Sequence, residues 1–255
     1  MNSNFNKKKI NFFPNRRLLK YLIITIAFVL LFVFVYLEFK NRDRFTNIIQ
    51  NISEKFNYQF LHLELNQLNR VDKSEVLKII NKYYNQSIFL IPLNDISNSL
   101  HDLNWVKSVN LSTNFKNKVN IHIFEYVPIG LFFYNNQLFY FSKEGKIIEN
   151  YREKINHKLI IFYGKQVLKE ANNFLNGLEK VNNINMMSIK EAYYINERRW
   201  DIKLHNNIVL NLAEKNIEGS INNYNKLIEK FNKSEIISIK NIDLRNNEKA
   251  IINFR

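Results

Sequence analysis

The sequence predicts an α+β protein in which a single N-terminal transmembrane helix precedes two folded units. The first unit is predicted to run β-α-α-β-β, and the second to be a mixed, mostly antiparallel β domain with two covering helices. Three observations support this: one long apolar run, short segments of alternating apolar and polar residues, and apolar stripes at helical spacing between them. The predicted boundaries are a basic tail at 1–17, the transmembrane helix at 18–38, a stalk at 39–57, and the two units at 58–127 and 128–255.

The composition excludes several classes of protein. Hydrophobic residues make up 46% of the 255 residues, which is enough to bury a core. Cysteine is absent, so disulfides, thiol catalysis and cysteine-ligated zinc are excluded. The net charge of +14 raises the question of nucleic-acid binding. Abundant lysine, asparagine and isoleucine are also typical of AT-rich genomes, which explains part of this charge.

The apolar run at 18–37 predicts an uncleaved membrane anchor. About 20 helical residues span the roughly 30 Å hydrocarbon core, whereas a signal peptide has a shorter apolar region followed by a small-x-small cleavage site. The chain before and at the start of the run carries cations and no acid, which predicts a cytoplasmic N-terminus and about 210 residues outside. These cations are Lys7, Lys8, Lys9, Arg16, Arg17 and Lys20.

The first unit is predicted from alternation and capping signals. Residues 59–65 alternate as a half-buried strand, and Asp72 begins a helix with Glu75 three residues later. A second short helix follows Pro92, and residues 105–111 and 118–125 form a hairpin. The stalk that precedes this unit is polar and irregular in sequence, with a helical stalk as one possibility.

The second unit is richer in strands. Strands are predicted at 129–134 and 137–142, with a further short strand at 159–163. Helices with apolar stripes are predicted at 167–181 and 216–231. A meander is predicted over 189–195, 199–204 and 208–212, and the last two strands over 236–244 and 250–254.

The search for chemistry yields no predicted catalytic residue, cofactor or metal site. No zinc-binding HExxH, nucleophile elbow or glycine-rich phosphate loop occurs. His62 and Glu64 share one strand face but are too few ligands for a closed zinc site. Phenylalanine and tyrosine fall mostly at core positions, so no nucleic-acid partner is predicted. Glu64 and Glu125 are the only acids considered as a catalytic pair, and a solvated strand position is the simpler reading of each.

Five segments together resemble the bacterial cell-division family FtsQ/DivIB, especially its alphaproteobacterial members. They are LNWVKSV at 103–109, IHIFEYVPIG at 121–130, FYFSKEGKI at 139–147, RRWDIKL at 198–204 and IDLR at 242–245. Asn69, Tyr126 and Gly130 depart from the family's usual Gly, Arg and Ala. The first unit would then be a POTRA domain.

This resemblance implies a non-enzymatic scaffold of the inner membrane with periplasmic POTRA and β domains. Such proteins bind two small single-pass proteins, FtsB and FtsL, at the division septum, link early and late division components, and help regulate septal peptidoglycan synthesis. The resemblance places partner docking on the last strand, Ala250, Ile251, Ile252, Asn253 and Phe254, with Arg245 just before it. One of Arg198 and Arg199 would pair with an acidic residue of the partner.

The sequence gives this docking strand a physical basis. A strand at a chain terminus can be a sheet edge, and a partner strand can add there through backbone hydrogen bonds. Ile251 and Phe254 are expected on opposite faces, so that one face of the strand could pack inside while the other meets the partner. The alternatives are a strand that only completes the sheet, and a buried Arg245 paired with Asp243 or Asp201.

Other readings remain open at this stage. The edge at 106–111 could recruit another division protein by strand addition, or the POTRA domain could be a spacer that sets the height of the β domain. The rival functions are a membrane-anchored periplasmic cell-wall enzyme, which would need a nucleophile, a metal or paired acids, and another POTRA-bearing assembly factor.

Overall fold

A computed structural model of the chain describes residues 16–40, 42–152, 159–181, 188–246 and 248–255. The first helix, α1, spans Arg16–Lys40, and its segment Leu19–Leu37 is long and apolar enough to cross a membrane. This agrees with the predicted anchor. The predicted basic tail lies outside the described residues, except for its last two positions, and His157 lies outside them as well.

The predicted stalk is a regular helix, α2, which spans Arg42–Lys55. Its polar composition concealed an apolar stripe at helical spacing, so the description of this segment as irregular was wrong and the helical alternative was right. One face of α2 is fixed to residues 85–87. The Gln50 side chain bonds the Asn85 carbonyl and the Ser87 N–H, and the Ser53 and Ser87 hydroxyls lie 2.7 Å apart in a buried contact.

The next elements follow the predicted β-α-α-β-β order, and their strands form a sheet in the order β1-β3-β2. Their bounds are β1 His62–Leu65, α3 Lys73–Ile80, a 3-10 turn at Asn81–Tyr83, α4 Leu93–His101, β2 Val106–Thr113 and β3 Lys118–Glu125. The first strand is shorter than predicted, because Gln59 makes only an isolated bridge to Ser87. Asp72 begins α3 as predicted, and its carboxylate accepts the Ser74 N–H at 2.7 Å.

The remaining strands form one nine-stranded sheet in the order β12-β11-β10-β9-β8-β7-β4-β5-β6. Five of its eight strand pairings are antiparallel, so the sheet is mixed and mostly antiparallel, as predicted. The bounds are β4 Pro128–Tyr134, β5 Gln137–Ser142, β6 Ile147–Asn150, β7 Ile161–Tyr163, β8 Ile189–Ile195, β9 Arg199–Leu204, β10 Val209–Asn211, β11 Ile239–Asp243 and β12 Ile251–Phe254.

Two helices supply side chains to the core on one face of this sheet, α5 at Val167–Glu179 and α6 at Ile217–Ile228. Trp200 stacks on Phe174 with ring centroids 4.3 Å apart, and Phe162 meets both rings edge-on. Because Phe162 fills this space, a Cβ added at Gly130 would lie 2.5 Å from the Phe162 ring. This gives a steric reason for glycine where the FtsQ/DivIB pattern has alanine.

A third helix of this region was not predicted. It is α7, Lys233–Ser238, and it begins with a capping box between Asn232 and Glu235. Ile236 therefore lies in a helix rather than in the predicted strand at 236–244. The Asn-x-x-Glu signal was present in the sequence and could have revealed it.

By compactness the chain divides into two units. One unit comprises the described residues up to Glu64 together with 80–94 and 111–121. The other comprises 65–79, 95–110 and 122–255, including the whole nine-stranded sheet.

Candidate functional site

The last strand, β12, is the edge of the nine-stranded sheet. Among the strands that the structure describes, β12 pairs with β11 alone, antiparallel, with Ile252 opposite Ile242 and Ile251 opposite Asp243. The strand begins at Ile251, so Ala250, predicted as its first residue, lies just before it in an exposed position. The predicted edge is therefore present and is one residue shorter.

The register determines which backbone groups of β12 face the free edge. The N–H of Arg255 donates to the Ser238 carbonyl at 2.8 Å, toward β11. Since backbone groups alternate between the two edges of an antiparallel strand, the N–H and C=O groups of Ile252 and Phe254 point away from β11. These groups are the ones that an added strand would pair with.

The side chains of β12 differ in how far they are exposed to solvent. Ile251 and Phe254 are 62% and 52% exposed, so neither of them packs inside. Ile252 instead packs against the core, opposite the fully buried Ile242. Ile251 and Phe254 fall on opposite faces of the strand as predicted, but Ile252 makes the packing on the inner face, and Phe254 on that same face stays half-exposed at the end of the strand.

On the face opposite the core, asparagine side chains connect the last three strands. The Asn253 side-chain amide donates to the side-chain oxygen of Asn241 at 2.7 Å. The Asn241 side-chain amide donates in turn to the side-chain oxygen of Asn211 at 3.0 Å. Asn253 is the register partner of Asn241, whereas Asn211 of β10 is opposite Asp243, two residues further along β11. The ladder fixes the β12 backbone without covering its outer edge.

A charged cluster lies beside this ladder. Arg245 binds both carboxylate oxygens of Asp243, and Arg199 Nε lies 3.4 Å from an Asp201 oxygen. The Arg245 hydrogen bond is the main cause of the lowered pKa of Asp243, and the charge of Arg199 contributes. The pKa of Arg245 is raised, chiefly by its hydrogen bond to Asp243 and also by Asp201. The predicted Arg245–Asp243 pair is confirmed, but Arg245 is exposed rather than buried.

The structure separates the two arginines that the sequence left as alternatives. Arg199 begins β9, is mostly buried and belongs to the charged cluster. Arg198 lies in the preceding turn, is exposed, and pairs with Glu214 at 3.3 Å. Strand position, exposure and ion-pair partners distinguish these adjacent residues, and the sequence does not show the partners.

Glu64 and Glu125, considered as a catalytic pair, each have other partners. Glu64 pairs with Lys118 at 3.1 Å. The Glu125 carboxylate accepts the backbone N–H groups of residues 69–71, the shortest from Val71 at 2.8 Å. Within the described residues, no group of three or more His, Cys, Asp and Glu side chains is arranged to hold a metal ion.

Two of the motif segments meet within the larger of the two compact units, which contains residues 95–110 and 122–255. Trp105 Nε1 donates to Glu149 at 2.6 Å, and the Trp105 ring packs edge-on against Tyr140. Lys107 bonds Glu144 at 2.8 Å, and this hydrogen bond lowers the pKa of Glu144 to about 2. The motifs at 103–109 and 139–147 therefore carry structural contacts.

Comparison with known proteins agrees with this arrangement. Residues 60–126 match the family model described as POTRA domain, FtsQ-type, and residues 133–245 match that for the C-terminal part of cell division protein FtsQ/DivIB. The second match ends at Arg245, so β12 follows it. Together with the apolar helix α1, these matches define a membrane-anchored protein with a POTRA domain and an FtsQ/DivIB-type C-terminal domain.

Curated relatives specify the family further. Cell division protein FtsQ of Rickettsia typhi is 31% identical over 216 residues, covering 81% of this chain and 76% of the relative. That of Rickettsia felis is 30% identical over 253 residues, covering 96% and 91%. That of Escherichia coli is 28% identical over 115 residues, covering 44% and 40%. This chain belongs to the FtsQ family of cell division proteins.

One solved structure also resembles the chain, the major extracytoplasmic domain of the division protein DivIB from Geobacillus stearothermophilus. It is 11% identical in sequence, with a TM-score of 0.32, and the likeness covers 43% of this chain and 99% of that one. This TM-score is too low to support an inference from that structure.

Proposed function

We propose that this chain is a non-enzymatic division scaffold that binds FtsB-like and FtsL-like single-pass proteins through the free edge of β12. The observation that carries the proposal is the outward backbone of Ile252 and Phe254 on an edge strand. An incoming strand would gain backbone hydrogen bonds there, while exposed Ile251 and Phe254 would offer apolar contacts. By holding these partners at the septum, the scaffold would link early and late division components and help regulate septal peptidoglycan synthesis.

The charged cluster supports the proposal. Arg199 and Arg245 are already balanced by Asp201 and Asp243, so an acidic residue of the partner would extend an existing network. Arg199, rather than Arg198, is the proposed charge partner, because Arg199 acts on Asp243, the residue opposite Ile251 of β12.

The test is a binding titration with the full chain in detergent and the outer segment of an FtsB-like protein from the same organism. Ile252→Pro removes an N–H that points outward, and its ring is compatible with an edge strand. Ile252→Val keeps that N–H and most of the packing, and is the matched control. We expect the proline variant to lose binding, the valine variant to retain it, and both to have the wild-type circular dichroism spectrum.

Three other outcomes would count against this proposal. Equal binding by both variants would move the site away from β12. The edge strand β2 of the small sheet, considered above for strand addition, would then be tested next. No binding by the folded wild type would remove the physical support for the scaffold, and wall hydrolysis would be assayed instead. Loss of binding by both variants would point to side-chain packing instead of strand addition.

A further inference from the structure

An exposed apolar stripe runs along α2, the helix that follows the membrane span. It consists of Phe45, Ile48 and Ile52 of α2 and of Phe56 in the turn directly after the helix, where the Phe56 N–H still bonds the Ile52 carbonyl; these side chains are 44%, 54%, 54% and 59% exposed. At 3.6 residues per turn these four positions fall within an arc of about 80°. Gln50 and Ser53, which are bonded to residues 85–87, lie outside this arc, so the stripe is a separate face of the same helix.

The stripe is continuous with the apolar surface of the membrane span. One residue separates α1 from α2, and Phe34 of α1 lines a cleft of about 570 Å³ together with Phe45 and Ile48. In one straight helix Phe34 and Ile48 would lie about 21 Å apart along the axis, so this shared cleft requires a bend between the helices. Because of this bend, the stripe lies next to the apolar surface of α1 around Phe34.

The polar residues of α2 have the complementary arrangement. Exposed Asp43 and Glu54 lie on the side opposite the stripe, and exposed Arg44, Asn51 and Lys55 lie beside one border of it. Long cationic side chains at this border can reach lipid phosphates while their stems cover apolar surface. Such a division between an apolar arc and a polar arc is typical of helices that lie in the plane of a membrane interface.

We infer that α2 lies on the outer surface of the bilayer, with this stripe at the boundary between the headgroups and the acyl chains. The apolar side chains would then enter the lipid by about 5–10 Å. Gln50 and Ser53 of α2 are bonded to residues 85–87. Contact between α2 and the lipid would therefore hold this part of the POTRA domain against the membrane. The inference does not depend on the proposed β12 site.

The test uses the full chain in vesicles of phosphatidylethanolamine and phosphatidylglycerol. Because the chain has no cysteine, single cysteines can carry a fluorescent label without other changes. Ile48→Cys and Ile52→Cys sample the stripe, and Asn51→Cys and Glu54→Cys are matched controls on the polar side. We expect labels at 48 and 52 to be quenched by lipids carrying a nitroxide just below the headgroup, and to show several-fold less iodide quenching than the controls.

Two results would overturn the inference. Equal iodide quenching at all four positions would show that the stripe faces water. Labels at 48 and 52 shielded from both quenchers would show protein contact; shielding that weakens on dilution with lipid would identify a second copy of the chain. Retained binding of the FtsB-like segment by the same labelled variants would show that the β12 site is unaffected in either case.

Discussion

At the scale of single residues, Arg198 and Arg199 are neighbours with different surroundings. The Arg199 side chain is 22% exposed, pairs with Asp201 and contributes to the lowered pKa of Asp243, whereas Arg198 is 58% exposed and reaches only Glu214 among the ion pairs described. A charge that is partly removed from water interacts more strongly than an exposed one, because solvent screens the exposed pair. Substitution of Arg198 is therefore a control for substitution of Arg199, the proposed charge contact.

We expect Arg199→Ala to weaken binding of the FtsB-like segment by at least about tenfold, which corresponds to 1.4 kcal/mol. Arg198→Ala should change it by less than about threefold, since exposed ion pairs contribute roughly 0.2–1 kcal/mol. The measurement is the dissociation constant from a fluorescence titration, with thermal unfolding as the check on folding. An equal or larger effect of Arg198→Ala would show that the partner's acidic residue does not contact Arg199 alone and that Arg198, in the turn before β9, takes part.

At the scale of elements, Glu125 connects the end of β3 to the loop before α3. Its carboxylate is bonded to the backbone of residues 69–71. Burial raises the pKa of Glu125, but the three N–H groups outweigh it, so the pKa lies below 4.5 in the folded protein. A lowered carboxyl pKa adds stability above the unfolded value, and that stability is lost as the pH falls through the folded value.

Glu125→Gln should therefore lower the free energy of unfolding by about 1.5–3 kcal/mol at pH 7, since a charged acceptor is replaced by a neutral one. The measurement is urea unfolding of the full chain in detergent, and the difference from wild type should shrink below about pH 4. The control is Glu64→Gln, whose exposed pair with Lys118 predicts a change within about 0.5 kcal/mol. A difference that persists at low pH would assign the effect to packing instead of charge.

Elements with strong local signals were predictable from the sequence. The apolar run gave α1, and the stripes at 167–181 and 216–231 gave α5 and α6 within a few residues. The inward position of β12 was not predictable, because a four-residue strand alternates too briefly to show which residue meets the core. The role of Glu125 was also hidden, since its partners are backbone groups some 55 positions away.

At the scale of the whole molecule, the distribution of charge predicts how the chain crosses the membrane. Its short N-terminal side carries only cations, and such segments tend to remain in the cytoplasm while a long following domain is translocated. We therefore propose that the N-terminus is cytoplasmic and that the POTRA and C-terminal domains are periplasmic, at the inner membrane and enriched at the septum. Only this orientation would bring the β12 edge to periplasmic partners.

Two single-cysteine variants test the orientation, because the natural chain contributes no thiol of its own. Lys215→Cys lies at an exposed position between β10 and α6, and Ser3→Cys leaves every N-terminal cation in place. In intact spheroplasts a membrane-impermeant maleimide should label position 215 and not position 3, while lysis should make both reactive. Labelling of position 3 alone before lysis would show that the N-terminus is periplasmic, which is the reverse of the proposed orientation. That result would also exclude periplasmic binding at β12, however well the edge bound its partner in detergent.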